Sequence, residues 1–186
     1  MKNLTIKLLV GGLVLLAMAG KTVRADDDDV SARLRARLSS FNENLPNATG
    51  ATGTFEGTLN AAGDTISWTF TWDGLTGSPS AAHIHFAQLN VNGPVFTFFC
   101  GGGGKPPCPD TTSGSIQGTT TADDILALPA QALEAGDFAA FLEILRHNDG
   151  YANMHTAQFP GGEIRGQVRI RFRDDRDKDR EHGDKE

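Results

Sequence analysis

Long apolar runs are nearly absent from this 186-residue chain. The one that occurs, Leu8 to Gly20, is shorter than the roughly 20 residues a membrane-crossing helix needs, so no span is expected once a leader is removed. Cysteine is scarce: Cys100 and Cys108 alone exclude a disulfide-dense scaffold, and their separation fits neither CxxC redox chemistry nor zinc-binding cysteine pairs. No cysteine lies near the end of the apolar run to carry a lipid. Excess positive charge is missing too; the net charge of -6 argues against nucleic acid as a partner. No serine, cysteine or carboxylate pair shows a nucleophile or acid–base spacing.

The N-terminus has the order of an export leader. Met1, Lys2 and Lys7 precede the apolar run, and a polar segment ends in small residues. Cleavage after Ala19 or Ala25 satisfies the small-residue rule, and the acidic run Asp26 to Asp29 favours the second, giving a leader over 1–25 and an acidic mature N-terminus over 26–29. A secreted or periplasmic protein follows as the expectation, and in such a compartment Cys100 and Cys108 can pair across Gly101–Pro107. About 160 residues remain, enough for one domain with its own core. The Asp26–Asp29 run lacks the ligand spacing of a calcium loop. The tail over 173–186 has no apolar residue to bury and is expected to be disordered, a solvated end or a weak contact for a partner.

Between these ends the sequence is rich in glycine (22) and phenylalanine (11), and its pattern has period two. From Val30, the residues Ala32, Leu34, Ala36 and Leu38 alternate with Arg33, Arg35 and Arg37, which reads as a half-buried strand. Its arginine face is either solvated or a basic patch for an acidic partner. A polar connector (41–50) leads to strands over 52–59 and 65–72, joined as a hairpin through Asn60–Asp64. Ile66, Trp68, Phe70 and Trp72 share one face and are assigned to the core. Further strands are expected over 81–89, 95–100, 113–120, 151–156 and 163–172. A short helix is expected from Thr121 to a stop at Pro129, and an amphipathic one, capped by Asp137, carries Phe138, Phe141, Leu142 and Leu145. The fold class is all-β, an antiparallel immunoglobulin-like or superoxide-dismutase-like sandwich with one or two short helices.

Histidines form the one cluster suited to chemistry. His83 and His85, one residue apart in a strand, project from the same face, and His155 shares a face with Tyr151 and Asn153. If those strands are neighbours, three imidazoles converge in a set suited to copper or zinc. The competing reading has the histidines hydrogen-bonding within the sheet, with His155 anchoring the turn before Pro160. His147 and His182 are isolated. Pro160, Gly161 and Gly162 suit a tight turn. Glu163 and Arg165, two apart, are read as structural, bonding loop backbone or each other across a neighbour, ahead of substrate binding.

Two segments carry a resemblance. Tyr151 to Val168, including Pro160-Gly161-Gly162-Glu163-Ile164-Arg165-Gly166, and Ala82-His83-Ile84-His85-Phe86 followed by Asn92-Gly93-Pro94-Val95 resemble, in order, the signatures of CHRD domains. This module is named from the growth-factor antagonist chordin and also occurs in exported microbial proteins. The resemblance covers 30–172 and implies an extracellular β-sandwich module without an assigned catalytic role. The cysteine-rich repeats that accompany the domain in chordin are absent, so growth-factor binding is not implied. His83, His85 and His155 are also similar to copper ligands of copper–zinc superoxide dismutase, itself a β-sandwich. A bridging histidine and a zinc loop are missing between Val91 and Thr121, which argues against dismutase chemistry. Two functions are therefore expected as alternatives: a non-enzymatic exported module acting on an unidentified protein or envelope component, and a mononuclear copper or zinc protein.

Overall fold

A computed structural model describes residues 30–173; the leader, the acidic run over 26–29 and the tail beyond Arg173 lie outside the described residues. Among the described residues, nine strands form one antiparallel sheet: β1 (Val30–Ser39), β2 (Thr52–Asn60), β3 (Ile66–Asp73), β4 (Pro79–Phe86), β5 (Val95–Cys100), β6 (Gly114–Thr120), β7 (Gly150–Thr156), β8 (Ile164–Gln167) and β9 (Arg169–Phe172). The order across the sheet is β5-β4-β7-β8-β1-β2-β3-β6, with β9 also on β1. The expected sandwich is thus realised by a single sheet that folds over its own core. Phe99 of β5, at one end, packs on Phe55, Trp68 and Phe70 of β2 and β3, with ring centroids 4.8–5.2 Å apart.

Alternation drives this arrangement. Ala32, Leu34, Ala36 and Leu38 are buried while the intervening arginines are exposed, and Ile66, Trp68, Phe70 and Trp72 are all buried. The Trp68 indole, too large to bury without a partner for its N–H, donates to Thr120 Oγ1 at 3.0 Å. The β2–β3 turn is closed by Asn60, whose Oδ1 accepts from the backbone N–H of Asp64 (3.1 Å) and Thr65 (3.3 Å), an Asx-type turn. Cys100 and Cys108 form a disulfide.

Three expected elements differ in extent. The strand read over 81–89 runs Pro79–Phe86; beyond it the Ala87 N–H donates to Asp149 O and 87–94 becomes a loop. The segment read as one strand over 163–172 divides at Val168, whose side chain is buried and whose N–H donates to Gly150 O at 2.9 Å. The helix expected from Thr121 to Pro129 is a single 3-10 turn, Ala122–Asp124, held by the Thr121/Asp124 capping box. It stops because the Leu126 N–H donates instead to Phe96 O of β5 at 2.9 Å. Pro129 opens a second 3-10 turn rather than ending a helix, since its missing N–H costs nothing at a first position.

The amphipathic helix α1 (Phe138–Arg146) starts where expected, with Asp137 Oδ1 accepting from the Ala140 N–H at 2.9 Å. Its stripe of Phe138, Phe141 and Leu145 is buried, with Phe141 against Phe96 (4.9 Å). Among the described residues no helix is long and apolar enough to cross a membrane.

Candidate metal centre

β4 and β7 are hydrogen-bonded neighbours, with Ala81 opposite His155, His83 opposite Asn153 and His85 opposite Tyr151. The period-two rule therefore puts His83, His85 and His155 on one face. Their ring nitrogens, one from each residue, lie within 4.8 Å of one another. His83 is buried, only 5% exposed, while His85 and His155 are half-buried.

Backbone carbonyls set the tautomers. His85 Nδ1 stands 2.7 Å from Gly93 O and His155 Nδ1 stands 2.9 Å from Pro160 O. A carbonyl only accepts, so both Nδ1 atoms carry the proton and both Nε2 atoms hold lone pairs. Those Nε2 atoms, and Nδ1 of His83, are buried and have no hydrogen-bond partner. Burial holds all three rings neutral: it pulls His83 down to about 2, helped by the neighbouring His85 and His155, and His85 to about 4, and it lowers His155 as well.

A second layer supports the rings. Tyr151 stacks on His85, 4.5 Å between centroids and 12° from parallel, and the Arg165 guanidinium lies 3.4 Å from the Tyr151 ring centroid. Arg165 is itself only 2% exposed. It donates from Nη1 to Asn92 Oδ1 (3.1 Å) and from Nη2 to Val91 O (2.8 Å), which fixes the 87–94 loop supplying Gly93. Phe98 of β5 meets His83 edge-on at 5.0 Å.

The glutamate two residues earlier goes elsewhere. Glu163, fully buried, accepts from the Thr76 N–H (2.8 Å) and from the hydroxyls of Thr76 (2.9 Å) and Thr156 (2.6 Å). Arg165 and Glu163 thus each tie a different loop to the sheet. Pro160, Gly161 and Gly162 form the turn between β7 and β8, closed by the Gly162 N–H donating to Phe159 O at 3.0 Å. Gly162 has φ +122, and a Cβ there would stand 2.6 Å from Glu43 Oε1 and 2.7 Å from Asn153 Nδ2. Gly162→Ala is therefore expected to cost about 2 kcal/mol through backbone strain and collision, read as a lower midpoint in urea unfolding at unchanged slope.

Glu43 and Asn153 were not legible as site residues. Asn153 Nδ2 donates to Glu43 Oε1 (2.6 Å) and to Ile164 O (2.8 Å). Burial raises Glu43 to about 7, against the hydrogen bond from Asn153 and the charge of Arg165, which lower it. The remaining sequence-singled histidine with a described position, His147, stands on the surface, 3.1 Å from Glu143; His182 lies outside the described residues.

An all-β module whose sheet face gathers three neutral imidazoles defines the class of protein. Its family is specific: the model of the CHRD domain matches residues 34–168, and the chain belongs to the CHRD domain family. No curated protein and no solved structure matches the chain.

Proposed function

We propose that this CHRD domain is an exported binding module whose bound species is one copper or zinc ion, held by His83, His85 and His155. The observation that carries this reading is three converging imidazoles, each with one buried ring nitrogen that has no hydrogen-bond partner. Buried polar atoms are almost always hydrogen-bonded, and each exception needs a reason; a cation supplies one for all three.

The donor set fits. Imidazole suits both metals, and three protein nitrogens leave a further position as in other three-ligand centres. Ligand histidines ordinarily donate their second N–H to a carbonyl or carboxylate, the arrangement that Gly93 and Pro160 provide. Donors around one ion at about 2.0–2.1 Å stand about 3.3 Å apart, so the rings must draw together by about an ångström or more. An ion bound there supplies Lewis acidity or, for copper, one-electron exchange; Tyr151 and Arg165 hold His85 in place for it. Export rests on the leader read over 1–25, and the Cys100–Cys108 disulfide, a bond that persists in oxidising compartments, supports it.

Elemental analysis of protein purified without an affinity tag, followed by copper and zinc titration, tests the reading. Near-stoichiometric metal is expected, weakened by at least about a hundredfold in His83→Ala, with circular dichroism of the sheet unchanged. If neither metal binds above background, the ion is not the ligand, and the module's ligand is a protein or envelope component.

A further inference from the structure

The described residues with exposed large apolar side chains are Phe41 (65%), Leu45 (88%), Leu89 (61%) and Val91 (49%). Isolated exposed apolar residues are ordinary on a protein surface, but these four fall on two loops, 40–51 and 87–94, that touch: Asn44 Nδ2 donates to Asn92 Oδ1 at 2.6 Å. Phe41 and Leu89 line the same cleft, of about 880 Å³, whose other wall carries Arg35, Arg37 and Arg169.

That wall belongs to a basic face. Arg35 of β1 is directly opposite Arg169 of β9, and Arg33 is opposite Arg171; Arg35, Arg37, Arg169 and Arg171 are exposed. Like charges directly opposite on a sheet destabilise it, and this chain, at net charge -6, concentrates them here. Glu56 reaches Arg35 at 3.8 Å across exposed surface, a weak pairing, and burial raises Glu43 in the same cleft to about 7.

We propose that the paired loops and the arginine face form a seat for an anionic lipid surface, with Phe41, Leu45, Leu89 and Val91 entering the boundary between headgroups and acyl chains and the guanidiniums meeting lipid phosphates. Apolar side chains beside clustered basic ones are the combination that binds such a surface, each half insufficient alone. The apolar residues sit on two touching loops and the arginines on the adjoining strands β1 and β9. A soluble polyanion would use the arginines and leave the four apolar residues without a role. No ligand histidine belongs to this patch, so the seat and the metal centre stand or fall separately.

The test uses the chain from Asp26, which keeps every described residue, and cosedimentation with vesicles of phosphatidylcholine or of equimolar phosphatidylcholine and phosphatidylglycerol. Binding is expected to the anionic vesicles, to be absent with neutral ones, and to weaken as salt rises. Arg37→Glu with Arg169→Glu is expected to lower partitioning by about fivefold or more per charge, and Phe41→Ser with Leu89→Ser by about tenfold or more; thermal melts check that both variants are folded. No cosedimentation, equal binding to neutral vesicles, or binding that survives both double variants overturns the proposal. So does equal binding of dextran sulfate by wild type and the Phe41/Leu89 variant, if vesicle binding is likewise unaffected by that variant.

Discussion

Arg165→Met is expected to lower stability by on the order of 3 kcal/mol and to weaken metal binding at the histidines by about tenfold or more. Arg165 is among the largest fully buried side chains, so its replacement removes both packing and the hydrogen bonds that hold the 87–94 loop. Val91 O loses the Arg165 donor and Asn92 Oδ1 keeps only Asn44 Nδ2, and a hydrogen bond from a charged donor contributes about 1.5–3 kcal/mol. Methionine restores part of the packed volume but neither hydrogen bond, and it removes the cation from the Tyr151 face. The effect on the metal follows through geometry. The loop fixed by Arg165 supplies Gly93, whose carbonyl orients His85 and whose N–H donates weakly to the Tyr151 hydroxyl at 3.4 Å. Arg165→Lys is expected to recover the charge but less than half of the stability, because an ammonium cannot reproduce the planar fork that meets Asn92 and Val91 together while stacking on Tyr151. Urea unfolding paired with metal titration separates the two effects. A variant that loses stability while keeping wild-type affinity would show that the loop does not position His85.

Much of this arrangement was legible because it is local. Period-two alternation placed β1 to β3 and assigned Ile66, Trp68, Phe70 and Trp72 to the core, and Asp137 followed by Phe138, Phe141 and Leu145 placed α1. The pairing of His83 with His85 needed only the pleat, and His155 joined them once β4 and β7 became neighbours. The strand limits at Phe86 and Val168 and the arrested helix after Asp124 were not legible, because each is decided by a backbone bond to a segment far along the chain. The same holds for Glu43. In sequence it sits in a polar connector, yet its partner Asn153 is 110 residues away, and no spacing rule connects a loop carboxyl to a strand amide. Glu163 and Arg165 show the limit from the other side: the sequence marks the turn-adjacent pair as structural, but the different loops each holds emerge only in three dimensions.

The metal-free protein is expected to lose stability in acid, by roughly 3 kcal/mol between pH 6.5 and 4.5, as the balance of two opposing titrations. His83 and His85 titrate at about 2 and about 4 in the fold against 6.5 in the unfolded chain. Below pH 6.5 the unfolded state therefore binds more protons, and stability falls with pH; across this window the two rings together remove on the order of 5 kcal/mol. His155, also lowered, acts in the same direction. Glu43 acts in the opposite one. Its folded value of about 7 lies above the unfolded 4.5, so the native state takes up the proton first and gains on the order of 2 kcal/mol over the same fall in pH. The two contributions separate by substitution. Glu43→Gln, which keeps an acceptor for Asn153, should raise stability at pH 8 and steepen the acid loss; His83→Leu, which leaves His85 and Glu43 nearly balanced, should flatten it. Urea midpoints from pH 8 to pH 4 measure all three proteins. A wild-type profile flat over that range, with His83→Leu superimposed on it, would mean that the folded histidines charge as freely as those of the unfolded chain. The three imidazoles would then face water rather than a dry site shaped for an ion.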